Sequence, residues 1–212
     1  MSEQQPPVDL GPSADRIMGL IPVIGDDQLG NPTPCEGRSV EQLLAHLVGL
    51  TAAFRAAADK DLGPLTDTNP DENGWPRLEE GWRQTLAERL PALVTAWYAP
   101  SAWQGHTRAG GVDLPAEVAG HVALGELTLH GWDLARACGH DYDCDGGTAE
   151  ALQHYVAGFD EGGTPGMFKP AVAVPGAAGT FEAALGRSGR DPGWAPPGGE
   201  AAGSARPAPQ AS

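Results

Sequence analysis

Glu126 and His130 stand four residues apart in the run AEVAGHVALGELTLHGWDLARAC. If that run is a helix, both side chains leave one face, one turn apart. An imidazole and a carboxylate so placed can reach a single ion. Asp133 follows Glu126 by seven residues and falls on nearly the same face. A third donor must then come from another element. His46 is the natural candidate, because it lies near the apolar stripe of a second helical run. Two histidines and one carboxylate suit Zn, and also Ni, Fe, Co or Mn, with coordination positions left for water or substrate. The same residue types also make surface ion pairs and hydrogen-bonded core histidines, so spacing alone leaves both readings open.

Other residues gather around this set. Asp133 suits an acceptor for a ligand imidazole, or an ordinary helix ion pair. Arg136 lies ten residues from Glu126, roughly 80° round the helix. It would orient an anionic substrate or bridge to a neighbouring acid. Trp132 reads as core. His121 precedes His130 by nine residues and takes the opposite face. His106, His140 and His154 fall in loops or on a helix surface. Cys35, just before the His46 run, suits packing or a nucleophile. The cysteines number three, with none spaced CxxC. A disulfide framework and a thiolate zinc finger are therefore not expected.

The elements that must position these residues follow from periodicity and start signals. Ser13 is expected to cap a first helix over about 14–23. Ser39 with Gln42 fits a capping box for a helix over about 40–59. Its stripe is Val40, Leu43, Leu44, Leu47, Leu50 and Phe54. Residues 60–76 read as a loop, and a third helix is expected over about 77–97, with Pro91 a candidate kink. Residues 99–114 read as a polar segment turning at Gly110-Gly111. The helix carrying Glu126 has Pro115 at its first turn and Gly139 at its stop. A fifth helix is expected over about 148–159, and the apolar stretch 167–174 is expected to pack back on the body. The domain reading is a flexible N-terminus at 1–12, a metal-binding helical bundle at 13–185, and a disordered Gly/Pro/Ala-rich tail at 186–212.

Composition limits the partners. The chain carries a formal net charge of -15 over 212 residues. Such a surface repels phosphate backbones, so nucleic acid is not an expected partner. No apolar run is long enough to span a bilayer, so no membrane is expected either. The opening MSEQQPPVDLGPS has neither a basic n-region nor an apolar h-region, and the expected location is the cytoplasm.

Two stretches carry a resemblance. Residues 33–47 read TPCEGRSVEQLLAHL and residues 125–136 read GELTLHGWDLAR, with FKPAV starting at Phe168. In combination they resemble the DinB-like superfamily. More closely, they are similar to its actinobacterial metal-binding branch, related to the N-terminal domain of mycothiol-dependent maleylpyruvate isomerase. The resemblance covers about residues 12–195. It implies an all-α fold, a DinB-like four-helix bundle with a long crossover plus a short C-terminal extension. It implies metal ligands at His46, Glu126 and His130, with glutamate at the middle position where many DinB-like proteins have histidine. The implied activity is a metal-dependent S-transferase or isomerase that uses a small-molecule thiol, of mycothiol type, on a small electrophilic substrate. A non-catalytic metal-binding or stress protein is the alternative. Homodimers are common among such relatives. The true isomerases carry an added C-terminal domain, and the segment after about residue 165 is too short for one, which argues against maleylpyruvate itself as substrate.

Overall fold

The computed structural model describes residues 7–68 and 76–197. The protein is mostly helical, with one small hairpin. The helices are α1 (Gly11–Leu20), α2 (Val40–Asp59), the short α3 (Pro64–Asp67), α4 (Trp82–Tyr98), α5 (Ala116–Ala137), α6 (Gly146–Ala157) and α7 (Thr180–Arg187). The strands β1 (His106–Ala109) and β2 (Val112–Pro115) pair antiparallel, with Ala109 opposite Val112. Gly110 and Gly111 take φ of +58° and +79°, the left-handed pair that a two-residue hairpin turn demands.

The strongest local signals act as read. Ser39 accepts from the Gln42 amide, and the Gln42 side chain returns to the Ser39 amide, closing the capping box of α2. Gly139 stops α5 at φ +75°. The carbonyls at that end are taken up from the α1–α2 connector: Gln28 Nε2 donates to Cys138 and Asn31 Nδ2 to Ala137.

Three helix starts differ from expectation; α6 begins at Gly146, two residues before 148, because Asp145 caps it. α1 begins at Gly11, before Ser13, with Pro12 in its first turn and the Gly11 amide held by Asp9 Oδ1 at 2.8 Å. Ser13 does not cap the helix. It is fully buried and bonds Thr128 Oγ1 at 2.7 Å across the α1–α5 contact. Thr128 already gives its proton to the Leu124 carbonyl, so Ser13 is the donor. α4 starts at Trp82 instead of 77, because Gly81 takes φ +79° and breaks the helical path. Pro91 sits inside α4 without ending it. The expected loop at 60–76 contains α3, and its residues 69–75 lie outside the described residues.

α1 and α2 each pack on α4 and α5. Their shared core contains Ile17, Leu43, Leu47, Leu86, Leu90, Leu93, Trp97 and Leu127. A second, smaller cluster joins Leu129 and Trp132 of α5 to Leu152, Val156, Ala184 and Leu185 of α6 and α7. α5 is therefore covered on two sides, which explains its near-continuous burial. The body does not stop at 185: the boundary expected at 186 falls inside α7, and Ser188 and Arg190 beyond it are buried. At the other end Leu10 is already buried. The outer parts of both expected flexible ends, residues 1–6 and 198–212, lie outside the described residues. Among the described residues, no helix is long and apolar enough to cross a membrane.

Candidate metal centre

α2 presents His46 toward α5, and α5 presents Glu126 and His130 one turn apart toward α2. Glu126 Oε2 lies 3.1 Å from His46 Nε2 and 3.1 Å from His130 Nε2. The two imidazole rings stand nearly perpendicular, with centroids 5.2 Å apart. Donors about 2.0–2.1 Å from a tetrahedral ion lie roughly 3.3 Å from one another. The two spacings through Glu126 lie near that value, and all three donor atoms fall within 4.8 Å of one another. His46 and His130 are mostly buried, while Glu126 keeps 29% of its side chain exposed.

The charges around His130 are arranged on both edges of its ring. Nδ1 faces Asp133 Oδ2 at 3.0 Å, so Asp133 is the imidazole acceptor that its spacing allowed. Burial pulls the imidazole pKa down, but hydrogen bonds to Asp133 and Glu126 outweigh this and push it up to about 9. Burial likewise opposes ionisation of Glu126. The bonds from His130 and His46 prevail and hold its carboxyl well below the usual range. Nε2 of His130 thus carries a proton directed at the carboxylate. A cation among the three donors would take that proton's place while Asp133 kept the Nδ1 proton, the tautomer that ligation through Nε2 needs.

Asp133 itself is fully buried and held by a parallel pair of bonds, Arg190 Nε to Oδ1 at 2.9 Å and Arg190 Nη2 to Oδ2 at 2.7 Å. Arg136 is elsewhere. Its guanidinium donates to the Trp194 carbonyl at 2.7 and 3.2 Å, so it fastens the C-terminal segment and does not face the three donors. His121 bonds the Glu117 carbonyl on the exposed side of α5.

Glu126 and His130 also form one wall of a cavity of about 130 Å³. Leu129, Tyr155, Met167 and Phe168 line its apolar side, and Cys35, Ser188 and Arg190 close another. Lys169 and Glu36, both exposed, form an ion pair at its edge. Gly125 makes room for Tyr155: a Cβ there would meet the ring at 2.5 Å. Cys35 faces the cavity as well as packing. Its donor atom, with those of His130 and Asp133, forms a second close group within 4.8 Å. Asp133 is already engaged by Arg190 there. Burial, reinforced by the Asp133 charge, pushes the Cys35 thiol up to about 11, so it stays protonated at neutral pH.

The sequence offered little to find Tyr155 or Arg190, whereas Phe168 and Lys169 open the FKPAV stretch of the resemblance without any sign there that they line a cavity. Arg190 stands in a Gly- and Pro-rich run that reads as a tail. Trp194, an aromatic in such a run, is the one cue that the segment packs.

Comparison with known proteins places the fold. The mycothiol maleylpyruvate isomerase N-terminal domain family matches residues 10–135. Uncharacterized proteins from two Mycobacterium tuberculosis strains are 28% identical over 135 residues. That match spans 62% of this chain and 66% of each relative's length. Crystal structures of mycothiol-dependent maleylpyruvate isomerase and of a point mutant of it share the fold, with a TM-score of 0.54 at 17% identity, covering 70% of this chain and 68% of theirs. His46, Glu126, His130 and Asp133 all lie inside the matched region, whereas Arg190 lies beyond it. The chain belongs to the mycothiol maleylpyruvate isomerase N-terminal domain family.

Proposed function

We propose that this protein is a metal-dependent enzyme, built on a DinB-like four-helix bundle, that joins a low-molecular-weight thiol of mycothiol type to a small electrophile or isomerises one with that thiol. The observation that carries the reading is the convergence of His46 Nε2, Glu126 Oε2 and His130 Nε2, two of whose residues also wall a cavity. His46, Glu126 and His130 would hold a divalent ion, zinc first and Ni, Fe, Co or Mn as alternatives. Bound there, the ion would supply the Lewis acidity that lowers a thiol's pKa.

The chain's own residues supply the rest. Asp133 keeps the Nδ1 proton of His130 and so keeps Nε2 available as a donor. Leu129, Tyr155, Met167 and Phe168 exclude water and suit the apolar body of a small electrophile. Burial and the Asp133 charge favour the neutral thiol form of Cys35. The structural neighbours are mycothiol-dependent enzymes, which supports mycothiol as the thiol class.

The test is elemental analysis of the purified protein beside His130→Ala, followed by thiol-consumption assays. About one equivalent of metal per chain, lost in the variant, is expected. A protein that takes up no metal after addition of zinc, nickel or manganese would overturn the reading. Metal binding without consumption of any thiol would leave a metal-binding accessory protein.

A further inference from the structure

We propose that Arg190 is a positioning residue of the metal centre, acting on His130 through Asp133. This rests on the metal-binding reading above. Arg190 lies 57 residues after Asp133 in the chain, in the segment that follows α7. Its fork grips both oxygens of Asp133 and so fixes the plane of the carboxylate. The same Oδ2 then accepts from His130 Nδ1. With that proton fixed, the ring's Nε2 is aimed at Glu126 Oε2 and, across it, at His46. A carboxylate at 0% exposure would be costly without a partner, and Arg190 is the cation that the structure gives it.

The arginine is itself held in place. Its Nη1 lies 3.3 Å from Ser188 Oγ, and its amide donates to the Leu185 carbonyl at 3.0 Å. Gly189 takes φ +80°, and a Cβ there would meet the Lys169 carbonyl at 2.9 Å. The turn that aims Arg190 inward therefore requires glycine. The consequence is that the centre is not complete within residues 10–135. Its orientation depends on a segment at the other end of the chain.

An anchoring role alone would need only that Arg190 tie the segment to the body, so the test must separate the two. Zinc affinity is measured by competition with a chromophoric chelator on the full chain, as wild type, Arg190→Met, Asp133→Asn and the double variant. Circular dichroism checks that each is folded, and ring-nitrogen NMR of the zinc-loaded protein follows the Nδ1 proton of His130. If Arg190 acts through Asp133, each single variant weakens zinc roughly 10–100-fold and the double is no weaker than either. The His130 Nδ1–H signal is then lost in Arg190→Met. A folded Arg190→Met with wild-type affinity, or losses that multiply in the double, would overturn the proposal. If Arg190→Met does not fold, Arg190→Lys keeps the charge without the fork. It should bind more weakly than wild type, and equal affinity overturns the proposal. A wild-type protein that binds neither zinc nor nickel nor manganese fails both this inference and the metal reading; one that binds nickel or manganese instead of zinc carries the same variant series with that ion.

Discussion

α5 divides two unlike regions. On one side, α1 and α2 pack on it and, with α4 packed on both of them, form a broad buried core of leucines and Trp97. On the other side, α6, α7 and the intervening loops meet it through Leu129 and Trp132, with only a few buried partners. The candidate donors His46, Glu126 and His130 come from the first region, from α2 and α5. The cavity wall opposite them, and the arginine that fixes Asp133, come from the second. A large rigid region thus sets donor positions, while a small region sets what surrounds them. In such a division the small region can change without rebuilding the core.

The largest effects should separate the two regions directly. Leu127→Ala removes a fully buried side chain from the main core, and Leu185→Ala does the same in the second cluster. Both fall in the range of about 2–5 kcal/mol for buried leucine truncation. Leu127→Ala should lie near the top of that range, because long helices on several sides relax little. Leu185→Ala should lie near the bottom, because an eight-residue helix can settle inward. Denaturant titration followed by helix signal and by metal release tests this. Leu185→Ala should release metal before the helix signal is lost. Coincident transitions in both variants would mean that the two regions unfold as one and that the division is only spatial.

A smaller contrast lies along α5 itself. Alanine in place of an exposed helical glycine gains about 1 kcal/mol, but all three glycines of α5 face rings, and Gly120 and Gly125 differ most in which region those rings belong to. A Cβ at Gly120 would meet Trp103 at 2.3 Å and Trp97 at 2.9 Å. Trp103 is pinned by its indole bond to the Trp97 carbonyl, and Trp97 by its own to Phe54. Gly120→Ala should therefore destabilise by about 1–3 kcal/mol. A Cβ at Gly125 would first meet Tyr155, a half-buried ring at the cavity. Gly125→Ala should leave stability within roughly 1 kcal/mol of wild type and alter electrophile access instead. Matching losses in thermal melts would show that the cavity side is packed as tightly as the core.

The same division tracks what could be read from the sequence. In the larger region the signals are local. Ser39 and Gln42 are three apart, Gly110 and Gly111 are adjacent, and the spacing of Glu126 and His130 puts them on one face of α5. Where a local signal misled, the backbone or a distant partner decided. Ser13 found Thr128 on another helix instead of an amide in its own first turn. Gly81 broke a periodic run by adopting positive φ, which the pattern of apolar residues cannot register. In the smaller region the decisive contacts are all long-range. Asp133 was legible as an acceptor for His130, three residues away. It gave no hint of Arg190, because an ion pair across 57 residues leaves no period in the chain. The pocket-lining Tyr155 read as an ordinary apolar helix position for the same reason, and Phe168 was marked only by the FKPAV stretch, not as part of a cavity.

The helix caps provide the finest test of the comparison. Ser39 starts α2 in the large region, and Asp145 starts α6 in the small one, where its carboxylate accepts from the Thr148 amide at 2.9 Å and hydroxyl at 2.7 Å. Replacing either by alanine should cost about 1 kcal/mol at neutral pH. The Arg16 contact to Asp145 is solvent-exposed and should add little. The two costs should then part with pH. Burial raises the Asp145 carboxyl, but the Thr148 bonds and Arg16 prevail and hold it below the ordinary range. Its contribution is therefore complete above the unfolded aspartate value near about 4 and fades as the pH falls through the lower folded value. Serine has no charge to lose. Asp145→Ala should approach wild type in acid, while Ser39→Ala should keep its deficit. If both deficits hold constant from neutral pH into acid, the Asp145 cap does not depend on its charge, and the hydrogen-bond geometry alone accounts for it.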